Sequence, residues 1–193
     1  MRQAINVRSD SVIPPIMGAL PVPAKSTDFD RVVLAHLDAA YNLARWLVRD
    51  EHDAEDIVQE ASLRAFRFFA GFRGGDSRAW LLKIVRNTAF TWLKRNRPAA
   101  PPAEFDENIH LAPDETPTLE ASLLRKADSA MVRAALDELP TEFREVVVLR
   151  DFEELSYKEI ADIAEIPVGT VMSRLARARG KLARSITART TAT

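Results

Sequence analysis

The stretch Leu155–Ile186, LSYKEIADIAEIPVGTVMSRLARARGKLARSI, determines how the rest of the chain is interpreted. Ser156 with Glu159 three residues later forms a capping box, so a short helix is predicted to begin there. The apolar face of this helix is Ile160, Ala161 and Ala164. Pro167 ends the helix, because the residue before a proline is disfavoured in helical conformation.

A second helix is predicted from about Val168, with one apolar stripe. The stripe consists of Val171, Leu175, Ala178 and Leu182. The other faces carry small polar and cationic residues, namely Thr170, Ser173, Arg174, Arg177, Arg179, Lys181 and Arg184. Two short helices joined by a tight turn, the second one cationic, are typical of a helix-turn-helix that enters the DNA major groove. An ordinary helical hairpin with a solvated basic face is the alternative, which the absence of acidic residues from Ile166 to Thr193 disfavours.

Composition places the chain among soluble globular proteins. Its 193 residues are 47% hydrophobic and 28% charged with a net charge of -1, which allows one ordinary domain or two small ones. The absence of cysteine excludes disulfides, thiolate metal sites and thiol redox chemistry, and the three histidines are scattered, so no metal and no cofactor are expected. No apolar run has the length of a signal peptide or a membrane span, which predicts a cytoplasmic location without direct membrane insertion.

Proline and charge patterns divide the chain into four segments. Residues 1–27 contain four prolines and are predicted to be a flexible leader, and residues 98–118 form an acidic, proline-rich linker too polar to pack. Residues 28–97 and 119–187 show helical periodicity throughout. The expected fold is therefore all-α, with two small helical domains joined by a flexible linker, and the residues from Thr187 onward are expected to fray.

The first helical domain opens with a helix predicted over about 28–48, followed by a second helix capped by Asp53. The residues expected to face inward on the second helix are Ala54, Ile57, Val58, Ala61, Ala65 and Phe68. Between Asp50 and Glu60 the chain has six carboxylates and neither lysine nor arginine. These residues alone favour two explanations equally: the acids interact with the helix dipole, or they bind a basic protein partner.

The glycine-rich segment 71–76, GFRGGD, precedes a third helix capped by Asp76 or Ser77. Its glycine spacing fits neither the P-loop nor the dinucleotide pattern, so a nucleotide site is disfavoured. The helix has a buried stripe that includes Trp80 and Trp92, and its exposed side is cationic, with no acid between Ser77 and Ala103. Cations and aromatics at this junction suit phosphate contacts and stacking of an unpaired base. Trp92 is expected in the core, whereas both roles stay open for Trp80.

Three segments together resemble the extracytoplasmic-function (ECF) group of bacterial sigma factors. They are DAEDIVQEASLRAF at 53–66, FRGGDSRAWLLKIVRNTAFTWLKR at 72–95, and LPTEFREVVVLRDFEELSYKEIADIAEIPVGTVMSRLARARGKL at 139–182. With the helices between them, the resemblance covers about 28–186. It implies that the two helical domains are sigma regions two and four, which bind core RNA polymerase and recognise the -10 and -35 promoter elements. An anti-sigma factor, which in this group is often membrane-bound, is a further implied partner.

The resemblance also assigns residues to the two promoter elements and to the polymerase. The implied polymerase-binding residues are Asp56, Gln59 and Glu60. Binding and melting of the -10 element are assigned to Phe72, Arg73, Ser77, Arg78, Trp80, Lys83, Arg86 and Asn87. Recognition of the -35 element is assigned to Thr170, Ser173, Arg174, Arg177, Arg179, Lys181 and Arg184. The implied function is initiation of transcription of a stress or envelope-response regulon.

Other functional classes fit the chain less well. A stand-alone helix-turn-helix regulator needs neither the acidic face nor a separate melting helix. A sigma mimic that titrates an anti-sigma protein comes with a receiver domain, for which 193 residues leave no room. An enzyme is disfavoured because no nucleophile-base pairing is recognisable. Two departures from pattern, Met172 on the recognition helix and Glu165 at a turn where glycine is frequent, leave the promoter sequence unpredicted.

Overall fold

The computed structural model describes the backbone of residues 24–96 and 129–191, and the side chains over 28–96 and 130–191. These residues form two helical bundles. Residues 1–23 of the predicted leader and the predicted linker over 98–118 lie outside the described residues, as do residues 119–128, the first part of the predicted second helical domain. An all-α fold, as predicted, is confirmed for the described part of the chain.

The N-terminal bundle contains four α-helices and two short 3-10 turns. They are α1 (Ala24–Val33), a 3-10 turn (Leu34–His36), α2 (Leu37–Val48), α3 (Glu51–Phe68), a 3-10 turn (Phe69–Gly71) and α4 (Ser77–Asn96). The prediction of one helix over 28–48 is wrong in two respects. The helix begins at Ala24, inside the predicted leader, and it is interrupted at His36, whose backbone leaves the helical region (φ -122°). The His36 ring there hydrogen-bonds Ser77 of α4 (Nε2 to Oγ, 2.9 Å), a tertiary contact that the local pattern does not encode.

The junction between α2 and α3 also differs from prediction. Arg49 adopts a left-handed conformation (φ 65°) that ends α2, and Asp50, not Asp53, caps α3 by accepting a hydrogen bond from the Asp53 amide (3.1 Å). Phe68, predicted to face inward, is 65% exposed. Its place is taken by the next residue, Phe69, whose ring packs edge-on against Phe29 at 5.4 Å.

The C-terminal bundle consists of four α-helices and one π-helical turn. They are α5 (Ser129–Glu138), α6 (Thr141–Val147), the π-helical turn (Val148–Phe152), α7 (Tyr157–Ala164) and α8 (Val168–Thr191). The expected fraying from Thr187 is wrong, because α8 continues to Thr191. Arg189 near that end pairs with Glu138 (Nη2 to Oε1, 2.5 Å), which ties the last turn of α8 to α5.

The helix-turn-helix forms as its local sequence predicts. The capping box is complete, because the Ser156 amide donates to Glu159 Oε2 (2.7 Å) and the Glu159 amide donates to Ser156 Oγ (3.3 Å). The predicted stripe on α8 is buried, at Val171, Leu175, Ala178 and Leu182. Glu165 ends α7 in the left-handed conformation (φ 57°, ψ 43°), so it occupies the backbone conformation for which glycine is usually selected.

The two bundles pack directly on each other and share one continuous apolar core. At the centre of the contact, Arg144 is fully buried and donates from Nη2 to the Leu47 carbonyl of α2 (3.5 Å) and from Nη1 to the Leu139 carbonyl (3.4 Å). At the edge, Trp46 packs against Phe152 with ring centroids 5.6 Å apart. The sequence predicts two domains but gives no indication of this contact.

Candidate nucleic-acid and partner interfaces

The acidic helix α3 presents an open surface. Asp56, Gln59 and Glu60 are all exposed, and Glu60 accepts a hydrogen bond from Arg64 (2.8 Å). The same surface continues into two large exposed apolar side chains that sequence reasoning missed, Leu63 (51% exposed) and Phe66 (58%). Their spacing in the sequence could have identified them, because residues four and seven positions after Gln59 lie on the same helix face as Gln59.

The structure divides the acids of this segment into two groups. Asp50, Glu51 and Asp53 lie at the N-cap and in the first turn of α3, where a carboxylate stabilises the helix dipole. The Asp53 amide is the main cause of the lowered pKa of the Asp50 carboxyl. Glu55, Asp56 and Glu60 lie beyond the first turn, so the dipole gives them little stabilisation. They therefore remain available for a partner.

The glycine-rich loop is shaped by backbone that other residues seldom adopt. Gly74 and Gly75 have φ values of 87° and 99°, which side chains with a Cβ rarely tolerate. Asp76 follows and caps α4, since its Oδ1 accepts hydrogen bonds from the amides two and three residues later (2.9 and 3.1 Å). Ser77, the other predicted cap, instead bonds the His36 ring, and Arg73 in the loop is exposed.

Aromatic rings connect this loop to the core. The Phe72 ring lies 4.9 Å from Trp80 and 6.1 Å from Phe69, measured between ring centroids. Phe72 and Trp80 are both only partly buried. Trp80 therefore packs against the core and also borders the loop surface, whereas Trp92 packs against the core as expected.

The cationic side of α4 is paired with carboxylates of the other bundle. Arg86 Nε donates to Glu145 Oε1 of α6 (2.7 Å), and Lys83 Nζ lies 3.0 Å from Glu165 Oε1 at the end of α7. The third pair joins Arg78 to Glu153, after the π-helical turn. Asn87, also assigned to the -10 element, is half-buried beside this row, and its Oδ1 accepts a hydrogen bond from Arg86 Nη1 (3.1 Å).

Burial distinguishes the three carboxylates. Glu145 is fully buried, and this burial raises its pKa, against the opposing effects of Arg86 and the more distant Arg174. Glu153 is 5% exposed and accepts a second hydrogen bond, from Asn42 Nδ2 of α2 (2.6 Å). Glu165 is exposed, and its hydrogen bond from Lys83 lowers the pKa of its carboxyl.

On α8 the candidate -35 residues fall into two sets. Thr170, Ser173, Arg174 and Arg177 are half-buried near the start of the helix, and Ser173 Oγ donates to the Thr170 carbonyl (3.1 Å). Further along, Lys181 and Arg184 are exposed, and Arg179 pairs with Asp151 (2.7 Å). The Arg174 charge also lowers the pKa of the buried Glu145 carboxyl, so this arginine has an electrostatic partner within its own bundle.

Within residues 24–96 and 129–191, no helix combines the length and apolar character needed to cross a membrane. Over the same residues, no group of three or more histidine and acidic side chains is arranged to hold a metal ion.

Comparison with protein families identifies both bundles. Residues 32–98 match the model of sigma-70 region 2, and residues 129–182 match the model of sigma-70 region 4. The two matched segments coincide with the N-terminal and C-terminal bundles, and together they include the candidate surfaces on α3 and α4 and most of those on α8.

Characterised relatives match over most of the chain. The ECF RNA polymerase sigma factor SigE of Mycolicibacterium smegmatis is 38% identical over 162 residues, 82% of this chain and 62% of that protein. The chain thus spans less than two thirds of the length of this relative. The RNA polymerase sigma-H factor of Pseudomonas aeruginosa is 39% identical over 160 residues, 78% of this chain and 82% of that protein. The sigma-E factor of Escherichia coli is 37% identical over 134 residues, covering 66% and 70% of the two chains.

Solved structures match both bundles at once. The sigma factor RpoE of Bartonella quintana, in complex with the anti-sigma factor NepR, has a TM-score of 0.64 at 25% identity, covering 83% of this chain and 98% of that one. CnrH in complex with the cytosolic domain of CnrY has a TM-score of 0.59 at 28% identity, covering 84% and 90%. The region 2 and region 4 models, the relatives and the two-bundle fold agree, and the chain belongs to the ECF sigma factors.

Proposed function

We propose that this chain binds core RNA polymerase, recognises the -35 and -10 promoter elements, helps to melt the -10 region and so initiates transcription of a stress or envelope-response regulon. The observation that carries the proposal is the presence of three different surfaces in one chain: an exposed acidic and apolar face on α3, a cationic and aromatic face on α4, and a helix-turn-helix. A stand-alone regulator needs only the last of these.

The face of α3 is the proposed polymerase contact. Its exposed carboxylates Asp56 and Glu60 would steer association with a basic partner, and Gln59 adds hydrogen-bonding capacity. Leu63 and Phe66, exposed on the same face, provide the apolar centre that stable protein interfaces need. The proposal therefore extends the polymerase site by about two helical turns beyond the three residues that the sequence suggested.

The loop before α4 and the start of that helix are the proposed -10 contact. The partly exposed rings of Phe72 and Trp80 offer a stacking surface for an unpaired base, which base-aromatic stacking can stabilise by about 1–3 kcal/mol. Arg73 and the cations of α4 would contact the strand backbone, and Asn87 would contact a base edge. The remaining residues assigned to the -10 element are Ser77, Arg78, Lys83 and Arg86.

The start of α8 is the proposed -35 reader. Thr170, Ser173 and Arg177 lie near its N-terminus, the part of a recognition helix that reaches base edges in the major groove. The exposed Lys181 and Arg184 lie about one and two turns beyond Arg177 and suit phosphate contacts. Arg179 would join these phosphate contacts by exchanging its pair with Asp151 for a phosphate. Among the proposed base-contacting residues, Arg174 has the weakest support.

The structural relatives support one further partner. The RpoE and CnrH structures are complexes with NepR and with the cytosolic domain of CnrY, respectively, the first of which is named as an anti-sigma factor. An anti-sigma factor is therefore proposed as the regulator of this chain. The proposed role is that of an initiation factor acting in the cytoplasm on the polymerase, with no catalysis of its own and no cofactor.

Run-off transcription tests this function directly. Core polymerase from the source organism, its sheared genomic DNA and the purified chain are combined, and the 5′ ends of the transcripts are sequenced. We expect start sites that depend on the chain and share two motifs at -35 and -10. A chain that binds DNA specifically but neither binds core polymerase nor yields such start sites is a stand-alone regulator, and the proposal is then wrong.

A further inference from the structure

We propose that His36 is a positioning residue for the -10 contact: its ring holds Ser77 and thereby fixes the glycine-rich loop, residues 71–76, against the start of α2. The inference rests on the proposed function, because it assigns this loop to the -10 strand. It adds a residue outside the set that the resemblance assigns to DNA. It also gives Ser77 a role that requires no contact with the strand.

His36 lies at a break between two helices. The 3-10 turn Leu34–His36 separates α1 from α2, and His36 itself leaves the helical region (φ -122°, ψ 11°). It occupies the N-cap position of α2, where a serine, threonine, aspartate or asparagine usually accepts a hydrogen bond from an amide of the first turn. The His36 ring makes no such bond and instead reaches α4, where its Nε2 lies 2.9 Å from Ser77 Oγ. The break therefore directs the ring toward α4 rather than toward its own helix.

The glycine-rich loop has little packing of its own. Residues 73–76 are exposed, and a Cβ built on either of the two glycines with positive φ would meet no atom beyond its chain neighbours within 4 Å. The conformation of the loop therefore depends on how its two ends are held. At the first end the Phe72 amide donates to the Phe69 carbonyl (3.0 Å), and at the second end Ser77 is joined to His36.

The contact between His36 and Ser77 lies entirely within the N-terminal bundle. Asp76 ties the loop only to the first turn of α4, through the amides that it caps, whereas His36 ties it to a different helix. Both His36 and Ser77 are half-buried, and either Nε2 or Oγ can donate, depending on the tautomer of the ring. A loop that is held before DNA arrives loses less conformational entropy when the strand binds, so its rings are pre-organised for stacking.

Four variants of the full chain test the contact. His36→Ala and Ser77→Ala each remove one partner, and the double variant removes both. His36→Gln is the conservative variant, because its amide can donate or accept from nearly the position of Nε2. The matched control is His52→Ala, which removes an exposed histidine of the same bundle at the start of α3.

Loop mobility is measured without DNA. The chain has no cysteine of its own, so a nitroxide attached at Arg73→Cys, an exposed loop position, is a single label for continuous-wave electron spin resonance. We expect His36→Ala and Ser77→Ala to narrow the spectral lines, as a more mobile label does, and His36→Gln and His52→Ala to keep the wild-type spectrum. Unchanged lines in both alanine variants of the pair would overturn the proposal.

Promoter preference is measured with holoenzyme assembled from core polymerase and the full chain. The probe is a fluorescent promoter fragment from the start sites found by run-off transcription, with the non-template strand unpaired over the -10 motif. Its affinity is compared with that of fragments in which either the -10 or the -35 motif is scrambled. We expect His36→Ala to reduce the -10 preference about tenfold, the effect of ordering about one additional residue on binding. The -35 preference should stay unchanged, and His36→Gln should retain the wild-type preference at both motifs.

The double variant distinguishes positioning from direct contact. Ser77→Ala should match His36→Ala, and the double variant should be no weaker than either, because the two side chains act through one hydrogen bond. A further loss in the double variant would show that Ser77 touches the strand itself, and an equal loss of -10 and -35 preference would show a general defect in folding. Either result would overturn the proposal.

The wild type separates this inference from the proposed function. A wild-type holoenzyme without any preference at the -10 motif contradicts the proposed function, whatever the mobility of the loop. A wild-type holoenzyme with that preference, equalled by His36→Ala, contradicts the positioning role alone.

Discussion

At the scale of single residues, Glu165 has two structural effects that oppose each other. It ends α7 in the left-handed conformation, which costs a residue with a Cβ about 1 kcal/mol relative to glycine. Its carboxylate also reaches Lys83 across the bundle contact. Local preference alone favours glycine at this position, whereas the ion pair to Lys83 is a contact that glycine could not make.

Substituting Glu165 separates the two effects. Glu165→Gly relieves the backbone strain and loses the ion pair, whereas Glu165→Gln only loses the ion pair. Both variants lose the exposed pair, which contributes about 0–1 kcal/mol, so they differ only in backbone strain. We therefore expect the glycine variant to be about 1 kcal/mol more stable than the glutamine variant. Urea denaturation of the full chain measures the difference. Equal stability of the two variants would mean that Glu165 carries no backbone strain.

Glu145 gives a prediction about pH. Its raised pKa means that the folded chain favours the neutral carboxyl more than the unfolded chain does, so its contribution to stability falls as pH rises above about 4.5 toward the raised value. The charged groups around it are Arg86 and Arg174, which lower the pKa, and Glu142, which raises it. We expect the free energy of unfolding of the wild type, relative to Glu145→Gln, to decrease over this window. A difference that is constant with pH, or that increases, would contradict the direction.

At the scale of elements, α3 combines charge and apolar surface on one face. Leu63 lies on that face and is 51% exposed, so its removal should affect a partner more than the fold. We expect Leu63→Ser to weaken binding of core polymerase at least tenfold, with a change in stability of no more than about 0.5 kcal/mol. Leu34→Ser, at a 57% exposed leucine on the 3-10 turn after α1, is the matched control and should leave the affinity unchanged. Equal losses in both variants would mean that α3 is not the contact.

Substitutions along the recognition helix α8 should affect sequence preference and affinity separately. Arg177 lies near its start and Arg184 about two turns later. Loss of a base contact costs about 1–3 kcal/mol and relaxes one base pair, whereas loss of a phosphate contact weakens all sequences alike and reduces the salt slope by about one. We therefore expect Arg177→Ala, but not Arg184→Ala, to change the -35 preference in titrations with a randomised duplex library. An unaltered preference profile for Arg177→Ala would place the reading face elsewhere on the helix.

Elements whose signals are local could be predicted from the sequence, and elements shaped by tertiary contacts could not. The capping box at Ser156 and the buried stripe on α8 are encoded within a few residues, so the helix-turn-helix was predicted correctly. The break at His36 coincides with a hydrogen bond to Ser77, 41 residues away, which no local pattern records. The partners of Arg78, Lys83 and Arg86 were missed for the same reason, because their glutamates are at least 59 residues distant in the chain.

At the scale of the whole molecule, the contact between the bundles determines whether the chain behaves as one folding unit or two. Arg144 is fully buried in the shared core and donates to carbonyls at the ends of α2 and α5, those of Leu47 and Leu136 among them. A guanidinium in this position compensates for the partial negative charge that accumulates at helix C-termini. The two bundles are therefore coupled by backbone dipoles as well as by ion pairs and apolar contact.

Replacement of Arg144 by alanine tests this coupling. The variant leaves a cavity and removes the donor from several buried carbonyls, which together should cost about 3–5 kcal/mol. The three tryptophans belong to the N-terminal bundle, but Trp46 also contacts Phe152 of the C-terminal bundle. In a Trp46→Phe background, the fluorescence of Trp80 and Trp92 therefore follows the N-terminal bundle, whereas far-ultraviolet circular dichroism follows both bundles.

In urea, the two signals should give coincident transitions for the wild type and for the control Arg31→Ala, whose side chain is 81% exposed. For Arg144→Ala we expect the two transitions to separate, because the C-terminal bundle loses the buried donor around which α5 and α6 pack and unfolds first. Coincident transitions in Arg144→Ala would mean that the apolar contact and the ion pairs of α4 couple the bundles without this arginine.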